Sequence, residues 1–223
     1  MNIERPSPNH DARSPGRAID MLLLHYTGMV SAEAALLRLC EATAKVSAHY
    51  MIGEGGDVFA MVAEDRRAWH AGVSCWAGQD DINGCSIGIE LVNPGHEFGY
   101  RTFPQTQMDA LLALCRDILR RHPIPAHRVL GHAYVAPARK QDPGELFDWP
   151  ALAAGAVGLW PEEAQGSDPS AANALASFGY DIAGAGLAAC ATAFQRHWRP
   201  GKIDGVMDDE CLARLAGLLA WVT

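Results

Sequence analysis

The feature that most restricts the fold is a pair of short, almost wholly apolar runs, Met21–Tyr26 and Ser86–Val92. Each has the length of a buried strand, and Gly28 punctuates the end of the first. Helical periodicity follows it: Ser31 is placed to cap Ala32–Glu41, where Ala35, Leu36, Leu39 and Cys40 recur at helical spacing. Ala48–Ile52 and Val58–Val62 predict a hairpin across Gly53–Asp57. A longer helix is expected from Thr106, with Met108, Leu111, Leu112, Cys115, Ile118 and Leu119 on one face. Val129–Gly131 reads as a last short strand, and Ala68–Gly84 and Gly131–Gly144 as loops. Strands interspersed with helices imply an α/β domain, a central mixed sheet flanked by helices, ending near residue 160.

Pro161–Pro169 is acidic and rich in Pro, Gly and Ser, the composition of a linker. Beyond it, Ser170–Phe178, Leu187–Trp198 and Asp208–Leu219 carry short helical patterns separated by glycine turns. They predict a small three-helix module over residues 170–223.

Charge narrows the partners. Eighteen basic against 26 acidic residues give a net charge of -8, and no Lys/Arg cluster is present. Nucleic acid and membrane insertion are poor matches for such a chain, whereas a saccharide or peptide substrate is compatible with it. The first ten residues lack the apolar core and cleavage site of a signal peptide, so the chain as written reads as cytoplasmic, and as periplasmic if an export signal has been removed. The six cysteines include no Cys-x-x-Cys pair and suit reduced, mostly structural thiols. A nucleophilic Cys75 or Cys85 beside His70 lacks an evident group to orient the histidine.

Histidines carry the chemistry. His25 ends an apolar strand, His132 closes another, and Asp142 lies in the proline-constrained loop that follows. Two imidazoles and a carboxylate suit Zn²⁺ with a fourth position left for water. Taken singly, His25 reads equally well as a satisfied core histidine.

Several motifs together are more specific. Leu22–Gly28, Val46–Tyr50, Ala68–Gly72, Ser86–Gly95 and Gly131-His132 followed by Ala136–Gly144 resemble the type-2 N-acetylmuramoyl-L-alanine amidases, in the order that family has them. The superfamily also contains the peptidoglycan recognition proteins, and the resemblance implies their fold. It further implies one zinc ion held by His25, His132 and Asp142, with Glu90 and Lys140 catalytic. Trp69, His70, Asn93 and Arg139 lie in the same motifs and are expected to meet substrate, with His49 and Tyr50 in support. The implied reaction hydrolyses the amide between the lactyl group of N-acetylmuramic acid and L-alanine. Substrates would be peptidoglycan or anhydro-muropeptides, in wall turnover or recycling. A binding protein without activity is the alternative on the same fold. Lys140 alternatively reads as a loop lysine paired to Glu145.

One departure stands out: Ala133-Tyr134 follow the second histidine where the family commonly has Ser-Asp, which puts the surroundings of the metal ligands in question. Separately, Ala176–Asp181, Ala193–Trp198 and Gly201–Gly205 with Asp208–Leu212 resemble a three-helix peptidoglycan-binding domain. That implies a module that binds wall polymer.

Overall fold

A computed structural model describes residues 2–164 and 170–222. Its strands are β1 (Ile3–Glu4), β2 (His10–Ala12), β3 (Met21–Tyr26), β4 (Tyr50–Ile52), β5 (Val58–Ala60), β6 (Arg66–Ala68), β7 (Ser86–Leu91) and β8 (Val129–Gly131). Helices in the first part of the chain are α1 (Ala32–Cys40), α2 (Ile82–Cys85), α3 (Gly95–Phe98), α4 (Gln105–Arg121), α5 (His132–Val135) and α6 (Trp149–Ala154). Later come α7 (Ala171–Phe178), α8 (Ile182–Ala185), α9 (Leu187–Trp198) and α10 (Asp209–Leu219).

The main sheet is mixed, in the order β1-β5-β4-β7-β3-β8, with β4 and β5 antiparallel and the remaining pairs parallel. β2 and β6 form a separate antiparallel ribbon. The mixed α/β sheet expected from the apolar runs is therefore present, and so is the hairpin across Gly53–Asp57, with Tyr50 opposite Ala60. The expected loop at Gly131–Gly144 is only partly loop, because His132–Val135 form a helical turn directly after β8.

Strand alternation sorts the central residues onto two faces. Leu22 and Leu24 of β3, with Ile87, Ile89 and Leu91 of β7, pack against Met108, Leu111, Leu114, Cys115 and Ile118 of α4. Met21 and Leu23 face the other way. His25 shares their face by the two-residue period, and Glu90 is its direct partner on β7. Because β7, β3 and β8 run parallel, His25, Glu90 and His132 gather at one edge, the carboxyl ends of the strands, where open α/β sheets bind ligands.

The opposite face is covered by the C-terminal helices. Leu175, Phe178, Phe194, Trp198, Leu215 and Leu218 join Met21, Leu23, Trp76, Leu130 and Tyr134 in one apolar core. Gln195, fully buried, donates to Asp204 Oδ1 at 2.8 Å and Val206 O at 2.9 Å and accepts from the backbone N–H of Asp204 and Gly205. Within the Ala193–Trp198 and Gly201–Gly205 motifs, Phe194 is thus a packed ring and Gln195 an amide that staples the Asp204-Gly205 turn before α10. Of the expected linker, 161–164 lie against α10, with Ala164 N–H on Ala213 O at 3.0 Å and Arg214 on Pro161 O at 3.0 Å. The rest of it, 165–169, lies outside the described residues. All six cysteines are free thiols. No helix among the described residues is long and apolar enough to cross a membrane.

Candidate active site

A cleft of about 550 Å³ opens at the carboxyl edge of the sheet, and His25, Trp69, His70, Glu90, His132, Arg139, Lys140 and Asp142 line it. At its floor the predicted ligand atoms converge. His25 Nδ1 is 2.9 Å from His132 Nδ1, and Asp142 Oδ2 is 3.1 Å from each. His25, His132 and Asp142 are all buried. A tetrahedral ion with bonds of about 2.0–2.1 Å would place its ligand atoms roughly 3.3 Å apart, so the triangle is nearly of coordination size.

Hydrogen bonding supports that fit. His132 Nε2 is 3.0 Å from Ala71 O. A carbonyl only accepts, so Nε2 carries the proton and Nδ1 presents a lone pair to the triangle. Burial, reinforced by His132, pushes the His25 imidazole down to about 4, which keeps it neutral at physiological pH. For Asp142 burial acts to raise the carboxyl, but His132 and His25 overturn it and hold the group far below its usual range. A carboxylate and neutral imidazoles are the species that ligate a divalent cation.

Two glycines let these groups approach. A Cβ on Gly131 would stand 2.6 Å from Pro143 Cδ and 3.2 Å from Asp142 O, so only glycine admits the 142–143 backbone beside β8. Ala133 N–H then holds Asp142 O at 2.9 Å. Gly88 stands beneath the His70 ring, where a Cβ would come within 2.4 Å of His70 Cγ.

Glu90 has an oxygen, Oε2, with no hydrogen-bond partner among the described residues. Burial, then the charge of Asp142, raise its carboxyl well above the usual range, with Lys140 acting in the opposite direction. Lys140 follows the α5 turn, its N–H on Ala136 O at 3.0 Å. It has no ion pair among the described residues. The pairing with Glu145 does not form, because that carboxylate is engaged by His96 at 3.1 Å and by Arg196.

The remaining expected contacts divide. Trp69 stands on the cleft wall with Lys45 Nζ 6.0 Å from its ring centroid. Arg139 is at the rim, its guanidinium directed to Val73 O and Ala71 O. His70 is buried, with its ring nitrogens 3.0 Å from His25 Nε2 and 3.2 Å from Ser86 Oγ. Asn93 is buried outside the cleft lining, and its amide is consumed by Arg101 O at 2.7 Å and Gly95 N–H at 3.1 Å. It shapes the loop after β7.

With the geometry established, comparison with known proteins decides the family. A profile described as N-acetylmuramoyl-L-alanine amidase matches residues 15–145. The chain belongs to that family. Over 97% of this amidase and 90% of the relative, it is 32% identical to N-acetylmuramoyl-L-alanine amidase AmiD of Escherichia coli strain K12. A solved complex of AmiD with the substrate anhydro-N-acetylmuramic acid-L-Ala-D-γ-Glu-L-Lys superposes with a TM-score of 0.82 at 31% identity, covering 93% of this chain and 92% of that one. AMPDH3 of Pseudomonas aeruginosa gives a TM-score of 0.80 at 34% identity, over 95% of each chain.

Sequence reasoning missed a second polar cluster in this amidase. Tyr26 Oη meets His96 Nδ1 at 2.9 Å, and His96 leads to Glu145 and on to Arg196 of α9. No spacing rule connects residues so far apart in the chain. The Ala133-Tyr134 departure also finds its reason. Tyr134 is buried against the C-terminal helices, its hydroxyl on His197 Nδ1 and its ring stacked on Tyr180 at 5.3 Å. It packs the helical module and leaves the ligand triangle alone. Cys75 and Cys85 do not line the cleft, and burial raises both thiols, which disfavours the thiolate a nucleophile needs.

Proposed function

We propose that this amidase is a zinc hydrolase that cleaves the amide between the lactyl group of N-acetylmuramic acid and L-alanine in peptidoglycan fragments, anhydro-muropeptides included. The carrying observation is the convergence of His25 Nδ1, His132 Nδ1 and Asp142 Oδ2 within 3.1 Å at the base of a cleft that also contains Glu90. The solved AmiD complex, whose ligand carries the same linkage, supports the choice of bond.

His25, His132 and Asp142 would hold the ion. When bound, zinc supplies a Lewis acid that polarises a carbonyl and lowers the pKa of water toward neutrality. Glu90, raised by burial, is suited to take a proton from the attacking water and return it to the departing alanine nitrogen. Lys140, on the cleft lining and without an ion pair among the described residues, would stabilise the negative charge that develops on the carbonyl oxygen. Trp69 offers an aromatic wall for sugar or peptide packing.

The C-terminal helices fit this reading as a wall-binding module carried rigidly beside the cleft, because they share a core with the sheet. Sedimentation of the Glu90→Ala chain with purified sacculi tests that role. For the reaction, intact sacculi and soluble anhydro-muropeptides are digested in parallel, with and without a chelator, and products are identified by mass spectrometry. Release of free peptide that stops on chelation is expected. No release from either substrate by the zinc-loaded chain would refute the reading.

A further inference from the structure

The proton positions along the site face of β7 follow from the groups that have no choice. Ile82 O can only accept, and Ser86 Oγ sits 2.6 Å from it, so the single hydroxyl hydrogen of Ser86 points there. Ser86 Oγ is then an acceptor toward His70 Nε2 at 3.2 Å, which must carry a hydrogen. In a neutral ring, His70 Nδ1 is therefore bare, and it lies 3.0 Å from His25 Nε2. That contact is a hydrogen bond only if His25 donates from Nε2. The remaining His25 nitrogen, Nδ1, is left as a lone pair aimed at His132 Nδ1 and Asp142 Oδ2.

We infer that His70 and Ser86 are positioning residues that fix His25 in the one tautomer able to ligate a metal, rather than groups that touch substrate. The inference rests on the metal-site reading above. Reversing the chain would place a bare His70 Nε2 against a Ser86 oxygen whose only hydrogen is already committed. Two acceptors would then face each other in a buried site, whereas in the direction given the only facing lone pairs are those of the His25, His132 and Asp142 triangle, which a cation would fill. Each inward position of β7 thereby has a use. Ser86 anchors the chain of hydrogen bonds, Gly88 leaves room for the His70 ring, and Glu90 faces the cleft. His49 braces the same strand by accepting the Gly88 N–H at 3.0 Å.

Outer partners of ligating histidines typically alter metal affinity by about 10–100-fold, and that is the loss expected here. Zinc affinity is measured by chelator competition for the wild-type chain, Ser86→Ala, His70→Phe and His70→Asn. The Asn variant keeps an oxygen acceptor near the position of Nδ1. Ser86→Ala and His70→Phe are expected to weaken binding by about 10–100-fold, and His70→Asn to recover most of the loss. Long-range ¹H–¹⁵N spectra of the zinc-loaded wild type should show His25 protonated at Nε2, with that hydrogen exchanging more slowly with solvent than in Ser86→Ala. Ser86→Ala removes one atom, so it keeps the test open should His70→Phe not fold. Unchanged zinc affinity and an unchanged exchange rate of the His25 Nε2 hydrogen in Ser86→Ala would overturn the inference. A wild type that binds no zinc would instead defeat the metal-site reading itself.

Discussion

Glu90 is the residue whose environment departs most from what its type prefers. A carboxyl raised by burial contributes stability below its unfolded value, near 4.5, and loses that contribution as pH rises through the folded value. Glu90→Gln is therefore expected to melt higher than wild type at pH 8 in the metal-free protein, with the gap closing toward pH 4.5. Equal melting temperatures across that range would show that Glu90 is not held against its charge. The same change should lower kcat by about 10²–10⁴-fold without lowering zinc content, the usual size of general-base catalysis. Histidines act in the other sense. Burial pushes His25 down to about 4 and His49 to about 3, so the fold binds fewer protons than the unfolded chain below 6.5. The metal-free protein should lose stability from pH 6.5 toward 4, a drop that denaturant titrations at stepped pH would record. That His25, Glu90, His132, Lys140 and Asp142 line one cleft was legible in the sequence because they sit in compact motifs, and the roles given to them here are those proposed above. The contact of Tyr26, His96, Glu145 and Arg196 was not, since it depends on four separate elements meeting.

At the scale of elements, the β3 and β7 strands were legible because both carry near-continuous apolar side chains, and their pairing places His25 opposite Glu90. The short strands β1, β2 and β6 escaped notice because their two or three residues are mostly polar, unlike the equally short but apolar β8, and the α5 turn because four residues give no helical period. The Gly88 position was visible only as a glycine in a strand, and its purpose needed coordinates. Gly88→Ala puts a methyl 2.4 Å from His70 Cγ and is expected to displace that ring. Zinc affinity should fall by at least the roughly 10-fold expected from losing an outer partner. Calorimetric titration of a folded Gly88→Ala chain with wild-type affinity would remove the steric argument.

For the whole molecule, composition and linker chemistry suggested two bodies on a tether, but packing joins them. Phe194, fully buried, belongs to the same core as Met21 and Leu23 of the sheet. Phe194→Ala should cost about 3–5 kcal/mol of global stability, read as one cooperative transition for the entire chain. A chain ended at residue 164 should expose Trp76 and Tyr134 and melt below the full-length protein. Two independent transitions, or a truncated form as stable as the whole, would restore the picture of tethered units. The deepest commitment concerns the three atoms at the cleft floor. Elemental analysis of the chain after equilibrium dialysis against zinc measures it directly: one ion per wild-type chain is expected, and almost none in Asp142→Ala. A wild-type content far below one, or an Asp142→Ala chain that holds zinc as fully, would contradict the account.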